Sequence, residues 1–222
     1  ITIFITLIRE FRGSISVPGN IPIFMFLACG IIPFFMFRNI VTQLMGGIAG
    51  NLSLFFYKPV RPIHVFLART LLEFCIYSVI FLSVMILVGW FVGYDVFPRD
   101  FLAAFGCVIL MVLSGFSIGV IFAIITHFVE PLKIFLTYII TALYLLSCVI
   151  FPIWIIPTAL LEYFLYNPML HICESLKYYY FDSYPLADGI NLIYPIVFNI
   201  IMLFIGFWFY YYKRRELVAS RP

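Results

Sequence analysis

Long uncharged stretches alternate with short polar breaks along the whole chain. The uncharged runs cover 13–37, 74–94, 101–126, 134–161 and 189–212, each at or beyond the roughly 20 residues that cross a bilayer as helix. None shows the alternating segments of about ten residues that mark barrel strands. The pattern therefore predicts spans at about 21–50, 70–93, 101–126, 132–151 and 190–212. Residues 1–8, ITIFITLI, are apolar but too short to cross. They carry no basic n-region and no small-residue cleavage site, so they are expected to be the end of a truncated first helix, leading into a turn-rich loop over 9–20.

The polar breaks are as informative as the spans. Residues 51–69 form a basic connector running up to Glu73, in which Pro59 and Pro62 each remove a backbone donor and favour irregular or extended structure. Beyond Phe151 the prolines Pro152, Pro157 and Pro168 break a segment that stays apolar to Tyr166 apart from Glu162. Re-entrant or interfacial half-helices fit 152–184, because non-helical backbone at membrane depth is tolerated where it packs on protein or lines a cavity. Within it, Asn167 is placed to cap a helix with Pro168 at its first position. His171, Glu174 and Lys177 then fall along one face at i,i+3 spacing. Gly46-x-x-x-Gly50, Gly89-x-x-x-Gly93 and Gly115-x-x-x-Gly119 are small-residue pairs that let helices approach closely, within one chain or across a dimer seam.

Composition fixes the class. The chain is 65% hydrophobic and 10% charged, with a mean hydropathy of +1.15, outside the range of soluble domains. It reads as a single all-α polytopic membrane domain without internal repeats. The net charge of +3 is scattered between spans, so nucleic acid is not an expected partner. Orientation follows from the positive-inside rule. Lys58, Arg61, Arg69, Lys133, Lys213, Arg214, Arg215 and Arg221 fall on one side, and Arg9, Arg12, Arg99 and Lys177 on the other. The connector and the C-terminus are thus expected in the cytoplasm and 152–184 outside; with the first helix added, the chain has six spans. Cys29, Cys75, Cys107 and Cys148 lie in apolar runs and Cys173 in a loop region, without metal-type spacing.

Candidate chemistry is sparse. Arg38 is the one base well inside an apolar run, facing either a wet conduit or, by snorkelling, the cytoplasmic interface. Arg69 and Glu73 are spaced to pair at i,i+4. His171 and Glu174 are too few for a zinc site, and no Gly-x-Ser-x-Gly elbow supports a triad; a polar lining at an external exit or a fixed hydrogen-bond network fits them better. Tyr178, Tyr179, Tyr180, Phe181 and Tyr184 read as an aromatic belt or as a surface for sugar stacking, and Tyr210 to Tyr212 as a belt. No nucleotide-binding signature occurs, and the buried acids that ion coupling would use are nearly absent, so energy for uphill transport has to come from a partner.

With these residues in hand, the chain resembles the membrane subunit of bacterial capsular-polysaccharide ABC exporters, a branch of the ABC-2 type permeases. The stretches that carry the resemblance are GIIPFFMFRN (30–39), FFYKPVRPIHVFLARTLLE (55–73), LSCVIFPIWIIP (146–157) and YNPMLHICESLKYYYF (166–181). Lys177 stands where relatives often have arginine. The resemblance implies an ABC-2 type exporter fold of six transmembrane helices with external re-entrant half-helices between spans 5 and 6. It implies a homodimer served by two cytoplasmic ATP-binding subunits, which hold the ATP and magnesium; no cofactor is expected in this chain. The connector becomes the coupling element, with Asn51, Leu54, Phe55, Tyr57, Lys58, Arg61, Arg69 and Glu73 as its candidate residues. Arg38, His171, Glu174, Lys177, Tyr178, Tyr179 and Tyr180 become candidates for the path of a lipid-linked polysaccharide, with an inner-membrane co-polymerase and an outer-membrane channel completing the route. Other cargoes (O-antigen, teichoic acid, a drug) and an integral-membrane enzyme using His171 and Glu174 as an acid/base pair are the alternatives.

Overall fold

A computed structural model describes residues 21–56, 60–93 and 95–218. The expected first-helix remnant and the 9–20 loop lie outside the described residues, as do Tyr57, Lys58 and Arg221. In chain order the helices are α1 (Ile23–Met45), α2 (Pro62–Val92), α3 (Phe101–Phe128), α4 (Leu132–Leu146), α5 (Thr158–Phe164), α6 (Pro168–Tyr180) and α7 (Ile193–Val218), with 3-10 turns at Ala49–Phe56 and Ile153–Ile155. Among the described residues, four helices are long and apolar enough to cross a membrane: Ile23–Met45, Pro62–Phe91, Phe101–Phe128 and Ile193–Arg214.

The first and third helices form the centre. Both are apolar around most of their circumference, as expected of helices buried by neighbours rather than exposed on one side. Gly115 and Gly119 let them approach: a Cβ on Gly115 would sit 3.1 Å from the Ile40 side chain, and one on Gly119 would sit 2.9 Å from Leu44. This small-residue pair therefore serves packing within the chain. The second and seventh helices flank this centre and leave Leu71, Val79, Trp90, Phe204 and Trp208 exposed, the surface that faces lipid when such helices lie in a bilayer.

Five boundaries differ from the sequence expectation, each for a local reason. The second helix begins at Pro62 rather than Thr70, because a proline at the first helical position forfeits an N–H that has no intrahelical partner anyway. Its 31 residues rise about 46 Å at 1.5 Å per residue. The first helix stops at Met45, and 46–56 turn away through Gly46, Gly47 and a kink at Asn51. The fourth helix ends at Leu146, well short of 151. Ser147 bonds back to the Leu143 carbonyl at 2.6 Å, and Cys148 takes a left-handed φ of 51°, which stops helix propagation. The seventh helix starts at Ile193, capped by Asn191 at 2.8 Å. It continues beyond Tyr212 to Val218, where Lys213 pairs with Glu216 at 2.8 Å.

The region 152–184 is broken into half-helices as anticipated, but its longer piece is no surface feature. Pro168 through Lys177 of α6 are buried without interruption, packed against the first, third and seventh helices. Cys173, expected in a loop, is inside this helix at 1% exposure.

Candidate functional site

Two polar features stand out in an otherwise apolar molecule: the turn joining the first two helices, and the buried face of α6.

The turn is held by its own backbone and by the second helix. Gly50 N–H donates to Gly46 O at 3.1 Å, and Asn51 Nδ2 donates to Gly47 O at 2.8 Å. Phe55 tucks into the core at 7% exposure, whereas Leu52 and Leu54 stand out at 40% and 44%. Arg61, exposed, precedes the second helix, and its N–H reaches His64 Nδ1 at 3.4 Å. Arg69 does not pair with Glu73. Its Nη1 instead donates to the Gln43 carbonyl at 2.7 Å and to Gln43 Oε1 at 3.0 Å. Gln43 lies in the last turn of α1, where carbonyls lack an intrahelical donor, and a guanidinium is well suited to satisfy one. Arg69 thereby ties the second helix to the end of the first, and Glu73 is left buried at 7%. The result is a short platform with Leu52, Leu54 and Arg61 outward and Asn51, Phe55 and Arg69 fixing its shape.

The face of α6 is a closed polar network. Asn167 caps the helix by accepting from Met169 N–H at 3.0 Å, and its Nδ2 donates to Ser147 Oγ at 2.9 Å. Lys177 Nζ donates to Glu174 Oε1 at 2.8 Å and to the Cys148 carbonyl at 2.6 Å, and lies 4.5 Å from the centre of the Phe26 ring. Tyr184 donates to Glu174 Oε2 at 2.8 Å. Burial, and after it the neighbouring Glu174 carboxylate, push the Tyr184 phenol above its ordinary range, which keeps it a donor. The ion pair is 0% and 1% exposed. The backbone N–H of Asn191 donates to His171 Nδ1 at 3.1 Å, and Nε2 lies 2.8 Å from the Leu165 carbonyl. The tautomer that fits these contacts carries its proton on Nε2, since Nδ1 faces a donor and Nε2 an acceptor.

These contacts decide between the two readings left open for His171, Glu174 and Lys177. The side-chain polar contacts of all three run inward to protein groups, so they hold a half-helix in place instead of lining an opening. An acid/base pair needs an approachable proton, and His171 at 3% exposure and Glu174 at 1% offer none. Tyr180 likewise anchors structure. Tyr180 donates to Val96 O at 2.6 Å. Arg99 and Asp100 N–H donate to the Tyr180 and Tyr179 carbonyls at 3.2 and 2.9 Å, and the Arg99 guanidinium stacks 5.4 Å from the Tyr178 ring centre. Sequence reasoning missed Asn39, which donates to Tyr77 across the first two helices at 2.8 Å, and Cys148, whose contribution is a carbonyl. Arg38 is half-buried, with its guanidinium 5.9 Å from the centre of the Phe35 ring.

Comparison with known proteins adds independent findings. Residues 1–181 match the family described as ABC-2 type transporter. The chain is 32% identical over 195 residues to the polysialic acid transport protein KpsM of Escherichia coli, covering 88% of this chain and 75% of the relative. It is 29% identical over 175 residues to the capsule polysaccharide export inner-membrane protein CtrC of Neisseria meningitidis, covering 77% of this chain and 64% of the relative. Against the capsule polysaccharide export inner-membrane protein BexB of Haemophilus influenzae the identity is 26% over 175 residues, with the same coverage of 77% and 64%.

Proposed function

We infer that this chain, which belongs to the ABC-2 type transporter family, is the membrane permease subunit of an exporter that moves lipid-linked capsular polysaccharide across the inner membrane. The observation that carries the cargo is the likeness to KpsM over 88% of the chain; the names of CtrC and BexB support the same cargo. The chain is a transporter subunit and not itself an enzyme. A second copy of the chain and two cytoplasmic ATP-binding subunits, with their ATP and magnesium, complete the machine. An inner-membrane co-polymerase and an outer-membrane channel carry the polymer onward. The connector and the C-terminus lie in the cytoplasm, in keeping with the excess of lysine and arginine on their side. Removing the subunit from a capsulated cell is expected to abolish surface polysaccharide while lipid-linked polymer accumulates inside. Surface polymer at the normal level, or loss of polymer synthesis itself, overturns this reading.

Within that machine the platform of Leu52, Leu54 and Arg61 receives force from the ATPase, and Arg38 faces the conduit. A cationic side chain at membrane depth is stabilised by water or by an anionic group, and among the described residues no carboxylate lies within ion-pair distance of Arg38. In an Arg38→Cys variant a membrane-impermeant thiol reagent is expected to label the cysteine in the energised transporter. Labelling by lipid-soluble reagents alone returns Arg38 to an interfacial, snorkelling role.

A further inference from the structure

An apolar slot of about 550 Å³ lies between the first three helices, and nothing in the transport reading uses it. Along the second helix it runs from Phe74 to Ile86, about 18 Å at 1.5 Å of rise per residue. That length is close to one leaflet of hydrocarbon, about 15 Å, or half of the roughly 30 Å core. Its inner wall is sealed by Met85, Ala104, Leu176 and Tyr180, buried at 1%, 5%, 2% and 6%. Its outer rim is made of side chains that face away from the protein, with Leu82, Ile86 and Phe105 exposed at 58%, 59% and 44%. The slot thus opens sideways, toward the bilayer.

The lining presents carbon. Three hydroxyls lie on it: Tyr180 donates to the Val96 carbonyl, Tyr77 accepts from Asn39, and Ser78 sits partly exposed on the second helix. Water has no set of polar partners there, and an empty slot forfeits dispersion contacts along its whole length. A hydrocarbon chain is the occupant that both constraints select.

One end of the slot is capped by the loop between the second and third helices, through Val96, Phe97 and Pro98. That loop carries Asp95, Arg99 and Asp100. Asp100 is committed as the cap of α3, accepting from Ala103 N–H at 3.1 Å. Asp95 accepts one hydrogen bond, from Phe97 N–H at 3.1 Å through Oδ1. Arg99 is exposed, held over Tyr178, and among the described residues no carboxylate lies within ion-pair distance of it. A guanidinium and a carboxylate four residues apart on this capping loop match a headgroup that bears both signs of charge. A purely anionic headgroup would meet both acids.

We propose that the slot holds one acyl chain of a bilayer glycerophospholipid with a zwitterionic headgroup, its phosphate at Arg99 and its ammonium group toward Asp95. The lipid belongs to the leaflet on the side of the 93–100 loop and fills the seam between the second and third helices, where protein contact is thin. It acts as a structural ligand and is independent of which cargo the transporter carries.

The test uses the complete transporter purified with its ATPase partner and delipidated stepwise in mild detergent, with retained lipid read by native mass spectrometry. Phosphatidylethanolamine is expected to be retained at one molecule per copy of this chain, in preference to phosphatidylglycerol. Ser78→Trp, which projects an indole into the slot from its rim, is expected to lower retention about tenfold, equivalent to about 1.4 kcal/mol. Arg99→Gln is expected to remove the preference between the two lipids while leaving an acyl chain in place. A phosphatidylethanolamine bearing a photoreactive acyl tail is expected to crosslink to Met85 or Phe105. Equal retention in wild type and Ser78→Trp, with both variants assembling normally, overturns the proposal. So does crosslinking of a Ser78→Cys variant to a second copy of this chain, which would make the slot a protein seam. If Ser78→Trp fails to assemble, the photocrosslink on the unaltered protein decides: labelling spread evenly over lipid-facing positions refutes a defined site.

Discussion

Charge reversal at Lys58 and Arg61 together is expected to uncouple the ATPase and stop export while the chain remains inserted. Arg61 is exposed just before the second helix, as are Leu52 and Leu54 in the turn that precedes it, and a basic platform of this kind docks on a complementary surface. Placing like charges across such a contact costs several kcal/mol, so docking should weaken at least about a hundredfold at about 1.4 kcal/mol per decade. The substitution leaves the helix intact for a specific reason. A cation at a helix N-terminus opposes the macrodipole, whereas glutamate there favours it by about 0.3–1 kcal/mol. Loss of function therefore cannot be traced to loss of the second helix. The measurements are ATPase stimulation by the reconstituted subunit and polysaccharide at the cell surface; if both persist in the double variant, the connector is not the coupling element.

Glu174→Leu is expected to be among the most destabilising single substitutions in the chain. It leaves the Lys177 ammonium at 0% exposure with only the Cys148 carbonyl and the Phe26 ring as neighbours, and it strips the acceptor from Tyr184. Removing one partner of a buried pair costs about 3–5 kcal/mol, because an uncompensated charge remains. Replacing both, as Glu174→Leu with Lys177→Met, should recover a large part of that loss, since well-packed apolar groups often match a buried pair in stability. Thermal or denaturant unfolding in detergent distinguishes the cases. A single variant within about 1 kcal/mol of wild type, or a double variant no better than the single, would show that the pair is not what holds α6 in place.

Much of this was legible in the residues because it is local. Asn167 and Pro168 announce the start of α6, and the structure shows that cap in place. The proline-broken stretch after Phe151 becomes two half-helices, since proline removes a backbone donor and crowds the preceding turn, although Pro33 is carried inside α1 without ending it. The Gly115–Gly119 pair was recognisable as a packing surface, although its partner on the first helix was not. Pro62 opens the second helix where irregular structure is expected, because the same residue that strains a helix in its interior suits its first position, and the apolar run after it does not say which. The pairing of Arg69 with Glu73 was a sound local inference that a better partner displaced. The open carbonyl of Gln43 lies 26 residues away in sequence, and only the folding of the second helix onto the end of the first brings it near.

The buried network was the least legible part. Spacing placed His171, Glu174 and Lys177 on one face but could not say whether water, cargo or protein covers that face. The deciding partners are backbone groups at 148, 165 and 191, and a carbonyl has no signature in sequence. By itself, the order of apolar and polar residues determined the class of molecule, the expected spans and the position of the basic connector, because hydrocarbon demands uninterrupted apolar helix and leaves charge to the breaks. The tertiary structure alone decided that α6 is an interior strut and not an exit lining, that Arg69 braces two helices, and that a lipid-length slot opens between the first three. Each of these depends on which surfaces meet across the chain, and periodicity along one helix carries no information about what lies against it.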